Sequence, residues 1–182
     1  SICTPTYNRR PFISNLIKCV ENQTYPKELI EWIIVDDGTD KIEDLIENII
    51  YVIYIRCKEK LPLGKKRNML HAETSGDIII NMDDDDFYFP TYVKTCLDAL
   101  DRNKLCDLVG CSGMLMYDYG FDTVFNLRPF GPNHTVNCCM AYRTKYGKNN
   151  IYEENRTTGE EKSFLREYRS PMIQIPNMDA VI

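Results

Sequence analysis

The stretch Gly76–Pro90 reads GDIIINMDDDDFYFP. Its Gly-Asp pair is a turn, and Ile78-Ile79-Ile80 is a β-branched run of the kind that forms a buried strand. The run delivers its end into four consecutive carboxylates, Asp83 to Asp86. Two unit negative charges about 5 Å apart repel by roughly 3 kcal/mol at an effective dielectric of about 20. Four of them at the mouth of a buried strand need full solvation, protons or a cation. A solvated acidic turn would meet that need, but Phe87-Tyr88-Phe89-Pro90 follows at once, which an ordinary acidic turn does not explain. Hard divalent ions such as Mg²⁺ and Mn²⁺ take oxygen ligands and use one or two carboxylates together with substrate phosphates. The pattern points to a metal site.

Outward from this strand, short apolar runs alternate with amphipathic stretches. Ser1 to Thr4 reads as a strand that breaks at Pro5, and Arg10-Pro11 opens a helix with Ile13, Leu16, Ile17 and Val20 on one face. Trp32 to Val35 is a second strand, ending in Asp36-Asp37-Gly38. Ile42, Leu45, Ile46 and Ile49 mark a short helix, and Tyr51 to Ile55 a third strand. A helix from Gly64 or Lys65 to Thr74 precedes the Ile78 strand, and Val93, Cys96, Leu97 and Leu100 stripe the next. This alternation predicts a parallel α/β sheet, whose ligands bind beyond the carboxyl ends of the strands. Four separated segments then meet in one crevice: Thr4–Arg9, Asp36-Asp37, Arg56–Arg67 and Asp83–Asp86.

After residue 105 the pattern becomes antiparallel. Strands are expected over Asp107–Cys111, Met114–Tyr117, Thr123–Leu127 and Asn137–Tyr142, with a hairpin turn at Asp118–Phe121 and a loop at Arg128–His134. The polar stretch Lys145–Thr158 reads as mobile, and Gly159–Tyr168 as a helix opening on Glu160-Glu161, where acids suit the dipole. The expectation is one domain over residues 1–182, with a ligand-binding half (1–104) and a smaller half (105–182).

Lys and Arg number 22 against 27 Asp and Glu, so the net charge of −5 argues against nucleic acid as a partner. Six basic residues nevertheless crowd Arg56–Arg67 with one acid, Glu59, which suits a small anionic ligand. The eight cysteines show no CxxC spacing, and Cys19 and Cys96 fall on apolar helix stripes, so reduced thiols and a cytoplasmic setting are expected. No apolar run is long enough to span a bilayer. The opening strand without an initiator Met is compatible with trimmed ends, and any membrane association would lie in segments outside these 182 residues. A metal beside a basic loop fits a diphosphate; Asp37 can accept hydrogen bonds from a base and Tyr7 can stack on it. A nucleoside diphosphate is the economical ligand, although Asp37-Gly38 also suits a plain turn and Tyr7 a rim position.

TPTYNR (Thr4–Arg9), VDDGTD (Val35–Asp40), GKKRN (Gly64–Asn68), the Gly76–Pro90 stretch and GEEKSFLR (Gly159–Arg166) together resemble glycosyltransferase family 2, of GT-A fold. The resemblance is firm over residues 2–93 and thin over 105–158. It implies transfer of a sugar from a nucleotide-sugar donor, UDP-linked above all, to a hydroxyl of a saccharide or other acceptor, with inversion and Mn²⁺ or Mg²⁺. It implies Asp85 as metal ligand, with Asp83 and Asp84 near the ribose and sugar. It implies Pro5, Tyr7 and Asp37 at the base, and Arg9, Lys65 and Arg67 near ribose and phosphates. The family's base is an Asp following a Glu at the start of a late helix. Here the pair is Glu160-Glu161, longer by one methylene, so Glu161 is the candidate base and Glu160 is expected to serve only the helix end. His134 is a loop histidine within reach of donor or acceptor, and His71 a structural one. Other functions fit less well. A sugar nucleotidyltransferase would open on a Gly-rich loop, which TPTYNRRP is not. A receiver domain would need a Lys between Lys104 and Lys145. A non-catalytic sugar-nucleotide module would need only the donor residues.

Overall fold

The computed structural model describes residues 1–177 and 182. Strand and helix alternate as the apolar runs demand: β1 (Ile2–Thr6), α1 (Arg10–Glu21), β2 (Trp32–Asp36), α2 (Glu43–Ile46), β3 (Val52–Arg56), α3 (Leu63–Glu73), β4 (Ile78–Asn81) and α4 (Tyr92–Arg102). The second half supplies β5 (Leu108–Gly110), β6 (Met114–Asp118), β7 (Thr123–Leu127), β8 (Ala141–Arg143), α5 (Thr144–Asn149), α6 (Glu161–Phe164) and β9 (Ile173–Gln174). One sheet of seven strands runs in the order β3-β2-β1-β4-β8-β5-β9, and β6-β7 form a separate hairpin. β3, β2, β1 and β4 are parallel; β8 is antiparallel to both β4 and β5. The strand order reverses between β1 and β4, and at such a switch point the loops leaving the two strands part and open a crevice.

The sheet is covered on both faces. One face carries Ile13, Leu16, Cys19 and Val20 of α1 with Tyr92, Val93, Cys96 and Leu100 of α4. The other carries Leu70 of α3 with Tyr142, Tyr152, Phe164 and Leu165. Expected stripes on α1 and α4 are therefore the buried ones, with Ile17 and Leu97 only partly covered.

Four expectations are corrected. β1 does not break at Pro5: it continues to Thr6, with Pro5 opposite Val35 of β2. Proline is tolerated because pairing with β4 stops at Cys3. The Met82 carbonyl on that side is satisfied instead by the Thr4 hydroxyl at 2.7 Å. Second, the Asn137–Tyr142 strand is halved: Asn137–Cys139 is a 3₁₀ turn and only Ala141–Arg143 pairs. Third, Lys145–Thr158 is held, not loose. It contains the end of α5, and its Tyr152 is fully buried, stacked on Phe164 with ring centroids 4.2 Å apart. Fourth, the segment after it is helical for only four residues; Arg166, Glu167 and Tyr168 all take positive φ.

Candidate active site

The crevice is built first by the loops after β1 and β2. Asn8 takes a left-handed conformation (φ 54°), which an asparagine tolerates better than most residues. Its side-chain oxygen accepts the backbone N–H groups of Thr39 and Asp40 at 2.7 and 3.0 Å, stitching the two loops together. Gly38 is required beneath it, because a Cβ there would lie 2.6 Å from the Asn8 nitrogen. Asp36 is structural: its carboxylate accepts Gly38 N–H, Ile42 N–H and the Tyr54 hydroxyl. Asp37 is buried, taking Leu61 N–H at 2.7 Å and the Lys66 ammonium at 2.8 Å. Its side chain is closed to solvent, so it braces Leu61 and Lys66 at the edge of the crevice. Pro5 is buried within β1, while Tyr7 is half-exposed with the Lys60 ammonium 4.2 Å from its ring centre.

α3 delivers cations from beneath. Lys66 and Arg67 are 6% and 1% exposed, whereas Lys65 points to solvent. Lys66 is thus the residue the sequence reading missed. The signal was present: Leu63, Lys66, Arg67 and Leu70 follow the i, i+3, i+4, i+7 spacing of a buried helix face. Arg67 grips Asp83 with two bonds, 2.7 and 2.9 Å, and its Nε lies 3.3 Å from Glu160. A guanidinium committed on both sides and closed to solvent is a brace for the two carboxylates, and in this arrangement it does not face a phosphate.

The four aspartates, expected as one acidic mouth, are separated by their surroundings. Asp83 is neutralised by Arg67. Asp84 is 7% exposed, and its Oδ2 has no partner among the described residues. Burial pushes its pKa up to about 6, with the Thr6 hydroxyl working the other way. Asp85 is the open one, its side chain 39% exposed and paired to Arg9 at 3.0 Å. Asp86 is half-buried beside Tyr88 and is pushed up to about 7 by burial and then by Asp83.

The wall facing them comes from the second half. Glu160 is 3% exposed; besides Arg67 it accepts the Asn137 amide at 2.7 Å. It stands at the N-cap of α6, as expected, but its side chain makes no capping bond and is held instead as an ion pair with Arg67. Glu161 is half-buried, accepting the same Asn137 amide at 3.4 Å and the Tyr168 hydroxyl at 3.3 Å. Asn137 is fixed in turn by the Tyr152 hydroxyl, which it accepts at 2.8 Å. His134 stacks on Tyr168 at 4.7 Å and so stands one residue behind Glu161. His71 is buried against Tyr142, as a structural histidine should be. The structure brings Tyr7, Arg9, Asp37, Asp83–Asp85, Glu160 and Glu161 to the sheet's switch point, sets Arg67 beneath them, and leaves Lys65 outside. Among the described residues no three metal-capable side chains gather closely enough to cage an ion.

Over residues 1–150 the chain matches the family described as Glycosyl transferase family 2. It is similar to the poly(ribitol-phosphate) beta-N-acetylglucosaminyltransferase TarS of Staphylococcus aureus, 25% identical over 182 residues covering 90% of this chain and 31% of that one. It is also similar to a glucosyl-dolichyl phosphate glucuronosyltransferase of Haloferax volcanii, 27% identical over 122 residues, 65% of this chain and 38% of the other. Among solved structures, S. aureus TarS 1-349 in complex with UDP superposes with a TM-score of 0.82 at 19% identity, covering 99% of this chain and 58% of that one. The mannosyltransferase PcManGT from Pyrobaculum calidifontis in complex with GDP-Man and Mn²⁺ gives 0.77 at 15% identity, over 97% and 54%. At such identities the structural likeness speaks for the fold, a GT-A one. The chain spans about a third of the length of the curated relatives it matches. With the family match reaching from residue 1 to residue 150 of 182, the chain belongs to glycosyl transferase family 2.

Proposed function

We propose that this chain is the catalytic unit of an inverting glycosyltransferase that moves a hexose-type sugar from a nucleotide-diphosphate donor, UDP-linked, to an acceptor hydroxyl. One observation carries it: donor-type residues (Tyr7, Asp37 with Lys66, Arg9, Asp83–Asp85) and a half-exposed carboxylate (Glu161) converge on one switch-point crevice from five separate segments. Residues 1–104 hold the nucleotide and 105–182 face the acceptor. The complexes of similar proteins with UDP and with GDP-Man and Mn²⁺ support a nucleotide sugar here.

The residues fit a Mg²⁺ or Mn²⁺ ion of the kind that uses few protein ligands. Asp84 has a buried, unpartnered oxygen and Asp85 is open to solvent beside it. With no protein cage among the described residues, donor phosphates must complete the shell. Such an ion neutralises charge on the departing diphosphate. Arg9 adds a second positive charge there once Asp85 turns from it. Asp37 holds Leu61 and Lys66 in place at the base pocket, and Tyr7 stacks on the base. Glu161 takes the proton of the attacking hydroxyl; Arg67 and Asn137 hold its neighbour Glu160 and so fix the start of α6.

Titration calorimetry of UDP in Mn²⁺ and in EDTA tests the donor site, with tight binding expected only with the ion and weakened in Asp85→Asn. Equal affinity in both buffers would sink the metal assignment. UDP binding without any turnover of donor sugars would leave a non-catalytic nucleotide-sugar module instead.

A further inference from the structure

Beside the carboxylates lies a cavity of about 630 Å³ that reaches beyond the donor residues. Asp84, Asp85 and Asp86 form part of its lining, and none of Tyr7, Asp37 and Lys66 does. Further walls come from the outer face of α1, with Asn15, Lys18 and Asn22, and from the β6–β7 hairpin, with Tyr117 and Tyr119. Cys138 also lines it, and the residue before, Asn137, bonds Glu161. The cavity thus joins the metal-side carboxylates to the turn that carries Asn137, the residue bonded to the candidate base.

The hairpin is unusual in what it leaves uncovered. Tyr117 and Tyr119 are 38% and 87% exposed, and their rings meet edge to face at 4.8 Å. Val124 is exposed on the same face of the hairpin as its partner Tyr117, and Phe121 is exposed at the turn, while Met116 and Phe125 are exposed on the opposite face. Aromatic planes offer the apolar face of a pyranose a surface, while asparagine amides and carboxylates take its hydroxyls. That mixture of apolar wall and a few convergent polar groups is what a small-ligand cavity of this size carries.

Charge narrows the ligand further. Asp84 and Asp85 are engaged by Arg9 and the donor's ion, which leaves Asp86 and Lys18 as the charged lining groups toward a further ligand, and the hairpin turn adds Asp118 and Asp122 just outside. A phosphodiester chain or a lipid phosphate would bring further negative charge into this field with almost nothing to pair it. Resting on the glycosyl-transfer function above, we propose that this cavity is the acceptor subsite and that it takes an uncharged saccharide, one ring lying on the Tyr117–Tyr119 pair and its neighbours reaching Asn15, Asn22 and Asp86. This would set the chain apart from the relative whose name specifies a poly(ribitol-phosphate).

The test is acceptor-stimulated UDP release, using UDP-sugar donors and three probe sets: uncharged gluco-, manno-, galacto- and N-acetylgluco-tetrasaccharides, a ribitol-phosphate oligomer, and a decyl phosphate. At least one uncharged tetrasaccharide should stimulate release. Tyr119→Ala, at a site too exposed to endanger folding, should raise the acceptor KM about ten-fold, a change of about 1.4 kcal/mol. Its donor KM and its acceptor-free hydrolysis should stay unchanged, and Tyr119→Phe should restore the acceptor KM. Stimulation by the ribitol-phosphate oligomer or decyl phosphate alone, or an unchanged acceptor KM in Tyr119→Ala, overturns the assignment. A protein that hydrolyses donor but gains nothing from uncharged saccharides overturns this subsite and leaves glycosyl transfer standing; one that neither binds nor hydrolyses donor overturns both.

Discussion

Glu161 and Glu160 sit side by side on one amide, Asn137, yet their environments differ. Glu160 is closed in with Arg67, so its charge is spent within the protein. Glu161 keeps an exposed edge and only weaker, longer contacts, which leaves it able to accept a proton. Glu161→Gln should therefore lower kcat by about 10² to 10⁴ with little change in UDP affinity. Near-normal turnover in that variant would move the base to Glu160, Asp118 or Asp122. His71 gives the pH prediction. Burial, then the Arg67 charge, depress its pKa from 6.5 to about 4. The folded protein thus resists a proton that the unfolded chain accepts: no penalty exists above pH 6.5, it grows as pH falls, and it is complete below pH 4. The full penalty is at most about 3 kcal/mol. His71→Gln, neutral throughout, should gain stability relative to the parent between pH 7.5 and 4.5, read from urea midpoints; a constant difference across that range would refute the buried neutral histidine.

At the scale of elements, α3 and the segment behind it are locked together. Gly64 opens α3 against the backbone of the 150–158 stretch: its N–H donates to Arg156, and a Cβ there would sit 2.1 Å from the Glu153 carbonyl. Four residues earlier in the chain direction of that stretch, Asn68 of α3 and Tyr152 exchange two bonds, both 2.9 Å. These contacts seat Tyr152 under Asn137 and so connect α3 to the Glu160–Glu161 wall. Gly64→Ala should cost about 1–3 kcal/mol of stability because the neighbour is backbone and cannot swing aside. Proteolysis should then cut within 150–158 first; unaltered stability and cleavage would show that this stretch is not pinned by α3. The short α6 follows from the same packing. Phe164 and Leu165 are buried, and the positive φ values at Arg166 to Tyr168 turn the chain so that Tyr168 comes back to Glu161 and His134.

For the whole molecule, all eight cysteines are free thiols, including the adjacent Cys138 and Cys139 with sulfurs 3.8 Å apart. A disulfide needs about 2.05 Å between sulfurs, so closing that pair would require the turn to rearrange. A thiol count in denaturant without reductant should return eight, and a count of six or fewer would mean that oxidation accompanies folding. Among the described residues no helix is long and apolar enough to cross a membrane.

The apolar periodicity and the acid-terminated strands determined the first half by themselves. Local sequence decides whether a run is strand or helix, and βαβ chirality leaves little freedom in how such a chain folds back. Hence β2, β4, α1, α4 and the crevice at the carboxyl ends were legible before any coordinates. Tertiary structure alone decided what each charged residue does there. Whether Lys65 or Lys66 turns inward, whether Arg67 meets a ligand or Asp83 and Glu160, and which of four aspartates stays open are set by neighbours up to 93 residues away in sequence. The same holds for Tyr152, whose burial among polar residues depends on Phe164 arriving from beyond the site. Such pairings carry no local periodicity, because a side chain's charge state and exposure follow from what packs on it and not from its place in the chain.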